Sequence, residues 1–170
     1  GNNTFVAGAQ YGQIVRSTDN GSSFDNATSP FAVDSSNSVN GASFGNNTFV
    51  VVALGGKIAR STDNGSSWDN ATSPTANDLY GVTFGNNTFV AVGASGNILR
   101  STDNGSSWDN VTSPTGNHLS GITFGNDTFV AVGGSNDSTG TIVRSTDNGS
   151  SFSTVTSSFA QNLTGVTFGD

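Results

Sequence analysis

Residues 101–108 read Ser-Thr-Asp-Asn-Gly-Ser-Ser-Trp (STDNGSSW), and the octet recurs three more times along the chain. It stands as STDNGSSW at 61–68 and as STDNGSSF at 17–24 and 145–152. Its centre is a turn signal with a mechanism. Gly21, Gly65, Gly105 and Gly149 can take positive φ without a Cβ clash. Asp19, Asp63, Asp103 and Asp147 can accept hydrogen bonds from backbone N–H groups of their own turn. Each octet is therefore read as a tight turn between two strands.

A second string recurs in register with the octet. GNNTFV begins at Gly1, Gly45 and Gly85 and returns as GNDTFV at Gly125, and Gly169 opens a further copy. The spacings are 44, 40, 40 and 44 residues, and Gly45–Phe84 matches Gly85–Phe124 at 29 of 40 positions. Such a period marks a repeat architecture, here with units 1–44, 45–84, 85–124 and 125–168 of one domain.

Each unit divides into four strand-like pieces, called A to D. One full set is Leu79–Phe84, Thr88–Gly93, Asn97–Ser101 and Ser107–Thr112. Piece B, TFVAVG, is apolar on both faces of a strand and reads as buried on two sides. Short strands separated by turns at this spacing are an all-β pattern, and four per 40 residues fit one β-propeller blade. Leu163–Phe168 repeats piece A and is expected to complete the first blade by pairing with Thr4–Ala9, closing a four-bladed ring.

The octet resembles the Asp-box, S-x-D-x-G-x-[ST]-[WF], of bacterial neuraminidase repeats. The matching positions are Ser17, Asp19, Gly21 and Phe24; Ser61, Asp63, Gly65 and Trp68; Ser101, Asp103, Gly105 and Trp108; Ser145, Asp147, Gly149 and Phe152. The resemblance implies a β-propeller with the box at the hairpin between the two outer strands and a structural role for its Asp. It does not extend to sialidase chemistry, which needs an arginine cluster and a Tyr/Glu pair. Arg16, Arg60, Arg100 and Arg144 occupy one repeated position, and the chain has no Glu.

The wider composition argues against an enzyme. All 12 acidic residues are Asp, and His118 is the single His. A glycosidase carboxylate pair would need two Asp, and neither a nucleophilic triad nor a zinc site has its partners. The octet is superficially near a calcium loop but has one carboxylate and lacks the bidentate Glu. No cofactor and no metal are expected. The net charge of −7 disfavours nucleic acid, and no run has the length of a membrane span. The absent leader and initiator Met read as a mature or trimmed product. Absent Cys, scarce Lys and abundant Thr, Asn and Gly suggest an extracellular or cell-surface setting.

Differences between repeats are the remaining signal. In a four-strand meander the A–B and C–D turns share one face, and here both are nearly invariant. The B–C and D–A turns share the opposite face, and they vary. Repeat one carries a longer D–A loop, Phe31–Asn40, and repeat four a longer B–C loop, Gly134–Thr141. Tyr11, Lys57, Tyr80 and His118 fall on that face and are its candidate ligand contacts.

The N-x-[ST] acceptor pattern for glycosylation occurs at Asn2, Asn20, Asn26, Asn46, Asn64, Asn70, Asn86, Asn104, Asn110, Asn126, Asn136, Asn148 and Asn162. The sequence is thus read as a non-enzymatic secreted repeat module with a structural or self-assembly role at a cell surface or in an extracellular fibre. Its expected partner is itself, as a strand-closed monomer, a dimer or a head-to-tail filament. Two alternatives stand beside this reading: a glycan- or protein-binding propeller using the variable face, and a designed propeller without a natural ligand.

Overall fold

The computed structural model describes residues 3–134, 140–157 and 161–169. The sequons at Asn2 and Asn136, and most of the loop Gly134–Thr141, lie outside the described residues. The chain is all-β, as the repeat pattern predicts, and has propeller architecture. The first blade is formed by β1 (Phe5–Gly8), β2 (Ile14–Ser17) and β3 (Asp25–Asn26). The second forms β4 (Val39–Gly45), β5 (Thr48–Ala53), β6 (Ile58–Ser61) and β7 (Asp69–Ala71). The third forms β8 (Leu79–Gly85), β9 (Thr88–Gly93), β10 (Ile98–Ser101) and β11 (Asp109–Val111). The fourth forms β12 (His118–Gly125), β13 (Thr128–Gly134), β14 (Thr141–Ser145) and β15 (Ser153–Val155).

Each blade is an antiparallel meander, and isolated parallel bridges, Thr28 to Ser67 and Thr72 to Ser107, link neighbouring blades. The first sheet has three strands, β1-β2-β3, and the other three have four each. The register repeats to the residue: Phe44 faces Phe49, Phe84 faces Phe89 and Phe124 faces Phe129. The second strand of a full blade is covered on both faces, and all of β5 and β9 is buried. That explains its continuous apolar sequence.

The core lies between blades rather than within them. Val50, Val52 and Ile58 of the second blade pack with Leu79, Phe89 and Trp108 of the third. Equivalent clusters join the first blade to the second and the third to the fourth. The first strands stack across blades through glycine. A Cβ on Gly41 would lie 3.2 Å from Gly81 Cα, and one on Gly121 would lie 3.2 Å from Gly165 Cα. The backbones therefore approach too closely for a side chain to fit without displacing them.

The expected pairing of Leu163–Phe168 with Thr4–Ala9 is not made within the chain. Among the described residues β1 pairs with β2 alone, and Leu163–Phe168 belongs to no sheet. The segment instead packs against β12 as β12 packs against β8. Phe168 crowds Gly125 as Phe124 crowds Gly85 and Phe84 crowds Gly45. The Leu163 amide donates to the Gly133 carbonyl at 3.1 Å, matching the bond from Val39 to Ala9 at 3.0 Å. Its place is fixed by the blade before it, through contacts that every repeat makes, and those contacts are independent of any edge partner.

Candidate functional site

The two faces expected from the meander are distinct in the structure. On the constant face, the four octet turns share one geometry. Asp19 O accepts from Ser22 N at 3.3 Å, and the two residues between, Asn20 and Gly21, both have positive φ (61° and 83°). This is a hairpin turn of the primed type, which matches strand twist. Asn64, Asn104 and Asn148 repeat the positive φ, so the Asn of the octet matters as well as the Gly.

Each Asp closes its turn from the side. Asp103 Oδ1 accepts from the Ser101 hydroxyl at 2.8 Å and the Ser107 amide at 3.0 Å, and Oδ2 accepts from the Ser107 hydroxyl at 2.6 Å. Asp19, Asp63 and Asp147 make the same set. Hydrogen bonds from Ser17 and Ser23 hold Asp19 at about 2, below the ordinary 3.8. For Asp103, partial burial pushes the other way, and the bonds from Ser107 and Ser101 outweigh it, again giving about 2. The serine hydroxyl that begins the octet also accepts from the Gly amide, at 2.9 Å for Ser101 and Gly105.

The octets also touch the preceding blade. Arg100 Nε donates to the Asn148 carbonyl at 2.8 Å, and Arg16 reaches Asn64 O and Ser66 Oγ. Arg16 and Arg100 thus lie at separate blade joints, not in a cluster. Asn148 Nδ2 donates to Thr88 Oγ1 at 2.9 Å while its Oδ1 is buried, so that sequon is turned inward. Asn26, Asn70 and Asn110 lie exposed on outer strands.

On the variable face the candidate residues fall into two places. Tyr80 and His118 meet edge to face with ring centroids 6.2 Å apart, and His118 Nδ1 accepts from the Ser95 amide. Burial, then the Asp78 charge, raises the Tyr80 phenol above its ordinary value. Lys57 is apart from them and donates to Asn37 Oδ1 in the inserted loop of repeat one. Tyr11 sits at φ 61° in the turn Gln10–Gly12 beside that loop, and is half exposed.

The inserted loop shapes this face. Asp34 Oδ1 caps the 3-10 turn Ser35–Asn37 by accepting from Ser36, and Asn37 Nδ2 donates to Ala32 O at 2.7 Å. Phe31 is buried in the cluster joining the first two blades. A cleft of about 390 Å³ opens on one side of it, lined by Pro30, Phe31, Lys57, Ile58, Ala71 and Thr75. A second, of about 210 Å³, opens on the other side, with Ile14, Ala27 and Val33 among its walls. The inserted length marks the loop as a whole in the sequence, but nothing there marks Phe31 or Asn37. Its length was the available signal, and the contacts of its residues were not encoded in the period.

No family model matches the chain, and no curated protein matches it. Solved β-propellers do. The structure described as YCF48 bound to D1 peptide superposes with a TM-score of 0.75 at 17% identity, covering 99% of this chain and 54% of that one. A nidogen/laminin complex gives 0.73 at 14% identity, covering 98% of this chain and 66% of the other. An ancestral GH74 enzyme gives 0.68 at 18% identity, covering 91% of this chain and 24% of that chain. This chain therefore spans about half to two thirds of the first two and a quarter of the third. The likeness establishes the class, a β-propeller.

Proposed function

We propose that the chain is a non-catalytic binding module that holds a protein or peptide segment on its variable face. The observation that carries this reading is the pair of clefts built around Phe31 by the one long loop of the first repeat. An apolar floor with a lysine at the rim is the kind of surface that takes an extended peptide bearing a carboxylate. Similar propellers described with a bound peptide and in a protein complex support it. The octet aspartates are structural in this reading, because their oxygens are occupied by the turn. The absence of Glu, the lone His118 and the dispersed arginines support a non-enzymatic role. The composition supports placing the module outside the cell or at its surface.

The test is a peptide array probed with the wild-type chain and with Lys57→Gln. Wild-type capture of acidic peptides, weakened at least tenfold by the substitution, is the expected result. Capture of glycans alone on a parallel array would overturn it in favour of a lectin. Turnover of any fluorogenic glycoside would overturn the non-enzymatic reading.

A further inference from the structure

We infer that copies of this chain join head to tail, the C-terminal segment Leu163–Phe168 of one copy becoming the innermost strand of the next copy's first blade. The joint lies on the two end surfaces of the row and does not involve the variable face, so it stands or falls separately from the binding role.

Three observations point to it. Among the described residues, four of the six exposed large hydrophobics lie on these ends: Phe5 and Phe24 on one, Val155 and Phe168 on the other. Phe5 is 53% exposed, whereas its counterparts Phe49, Phe89 and Phe129 are 5%, 0% and 0% exposed. The missing cover is an innermost strand with a phenylalanine, and Leu163–Phe168 repeats that strand's sequence while belonging to no sheet. Exposed apolar patches and unpaired edges of this kind mark association surfaces.

The repeat also dictates the register. Thr83 faces Val90, Val82 faces Ala91 and Gly81 faces Val92 in the third blade, and the other full blades agree. By the same spacing Phe168 would face Phe5 of the next copy, Thr167 would face Val6 and Val166 would face Ala7. The Phe168–Phe5 rings would then take the contact that Phe44–Phe49, Phe84–Phe89 and Phe124–Phe129 make, with centroids 4.6, 4.7 and 4.6 Å apart.

The third observation is the outer half of the joint. Val6, Val50 and Val90 each touch the octet glycine of the following blade, namely Gly65, Gly105 and Gly149. Val130 is the same residue of the fourth blade, and it is only half-buried. The octet of a second copy, bringing Gly21, would cover it. Arg144, exposed at the same end, would find the Asn20 carbonyl as Arg100 finds that of Asn148. One rigid placement thus satisfies the edge strand, the phenylalanines, the valine and the arginine together. Successive copies related this way form a closed ring if the rotation closes and a filament if it does not.

The chain has no cysteine, so engineered cross-links are unambiguous. Ala7→Cys and Val166→Cys chains are prepared separately, mixed, and oxidised. The expected product is a disulfide-linked pair of chains, and Ala7→Cys mixed with Thr164→Cys should link at least tenfold less. In one chain carrying both Ala7→Cys and Val166→Cys, a ladder of linked chains is expected. A cross-linked monomer there would overturn the proposal in favour of closure within the chain. For the unmodified chain, sedimentation should give a multiple of 17.2 kDa, reduced to single chains by Phe168→Asp. A wild-type monomer at all concentrations would equally overturn it.

Discussion

The octets of the first and third blades have the same sequence up to their last residue, yet they end differently. In both, the Asp collects its serine and amide bonds and the Asn-Gly pair takes positive φ. In the third blade the closing aromatic, Trp108, is buried against Phe89 at 6.5 Å and its indole N–H reaches Gly105 O at 3.1 Å. In the first blade the closing Phe24 is 47% exposed, although Phe152, the same residue type at the fourth octet, is 9% exposed. The turn is therefore a local object. The burial of its aromatic is a property of the neighbouring blade.

The largest effect that separates the two blades should come from their aromatics. Trp108→Ala should cost about 3–5 kcal/mol, because it empties a packed site between blades. Phe24→Ala, measured at dilutions where the chain is monomeric, should stay within about 1 kcal/mol. Urea midpoints decide it, and equal losses would mean that Phe24 is covered in solution.

The turn itself should respond alike in both blades. Asp103→Ala removes the acceptor for Ser101, Ser107 and its amide, and about 1 kcal/mol is expected for an exposed network of this kind. Asp19→Ala should lower the melting temperature by a similar amount. A large gap between the two variants would show that the turn is not autonomous.

Acid provides a third comparison. The octet aspartates titrate at about 2 in the folded chain, below the ordinary 3.8. A depressed folded value means that the stabilisation is complete above the ordinary value and fades as pH falls towards 2. Urea midpoints should thus be flat from pH 7 to 5 and decline between pH 4 and 2. In a chain with all four Asp replaced by Asn, that decline should largely vanish. If the decline persists in that chain, other carboxylates govern it.

The smallest expected effect is at the variable face. Tyr80→Ala breaks the edge-to-face contact between half-buried Tyr80 and exposed His118, worth at most about 1 kcal/mol. Thermal melting should move by a degree or two, while a substitution on the constant face moves it further. A loss as large as that of Trp108→Ala would assign Tyr80 to the core.

By itself the sequence determined the repeat, the four strands of each unit, the turns between them and the division into a constant and a variable face. These depend on groups within a few residues of one another: an Asp and the serine four positions on, an Asn-Gly pair, an alternating apolar strand. The tertiary structure alone decided which closing aromatic is covered, that Lys57 meets Asn37, and that Leu163–Phe168 lies on β12 unpaired. Those outcomes depend on contacts between blades, about 40 residues apart in the chain, such as Phe168 over Gly125 or Val90 against Gly149. Near-identical repeats encode the same local preferences at every copy. Where two copies share a residue, as Phe24 and Phe152 do, the presence or absence of a neighbouring blade makes one differ from the other.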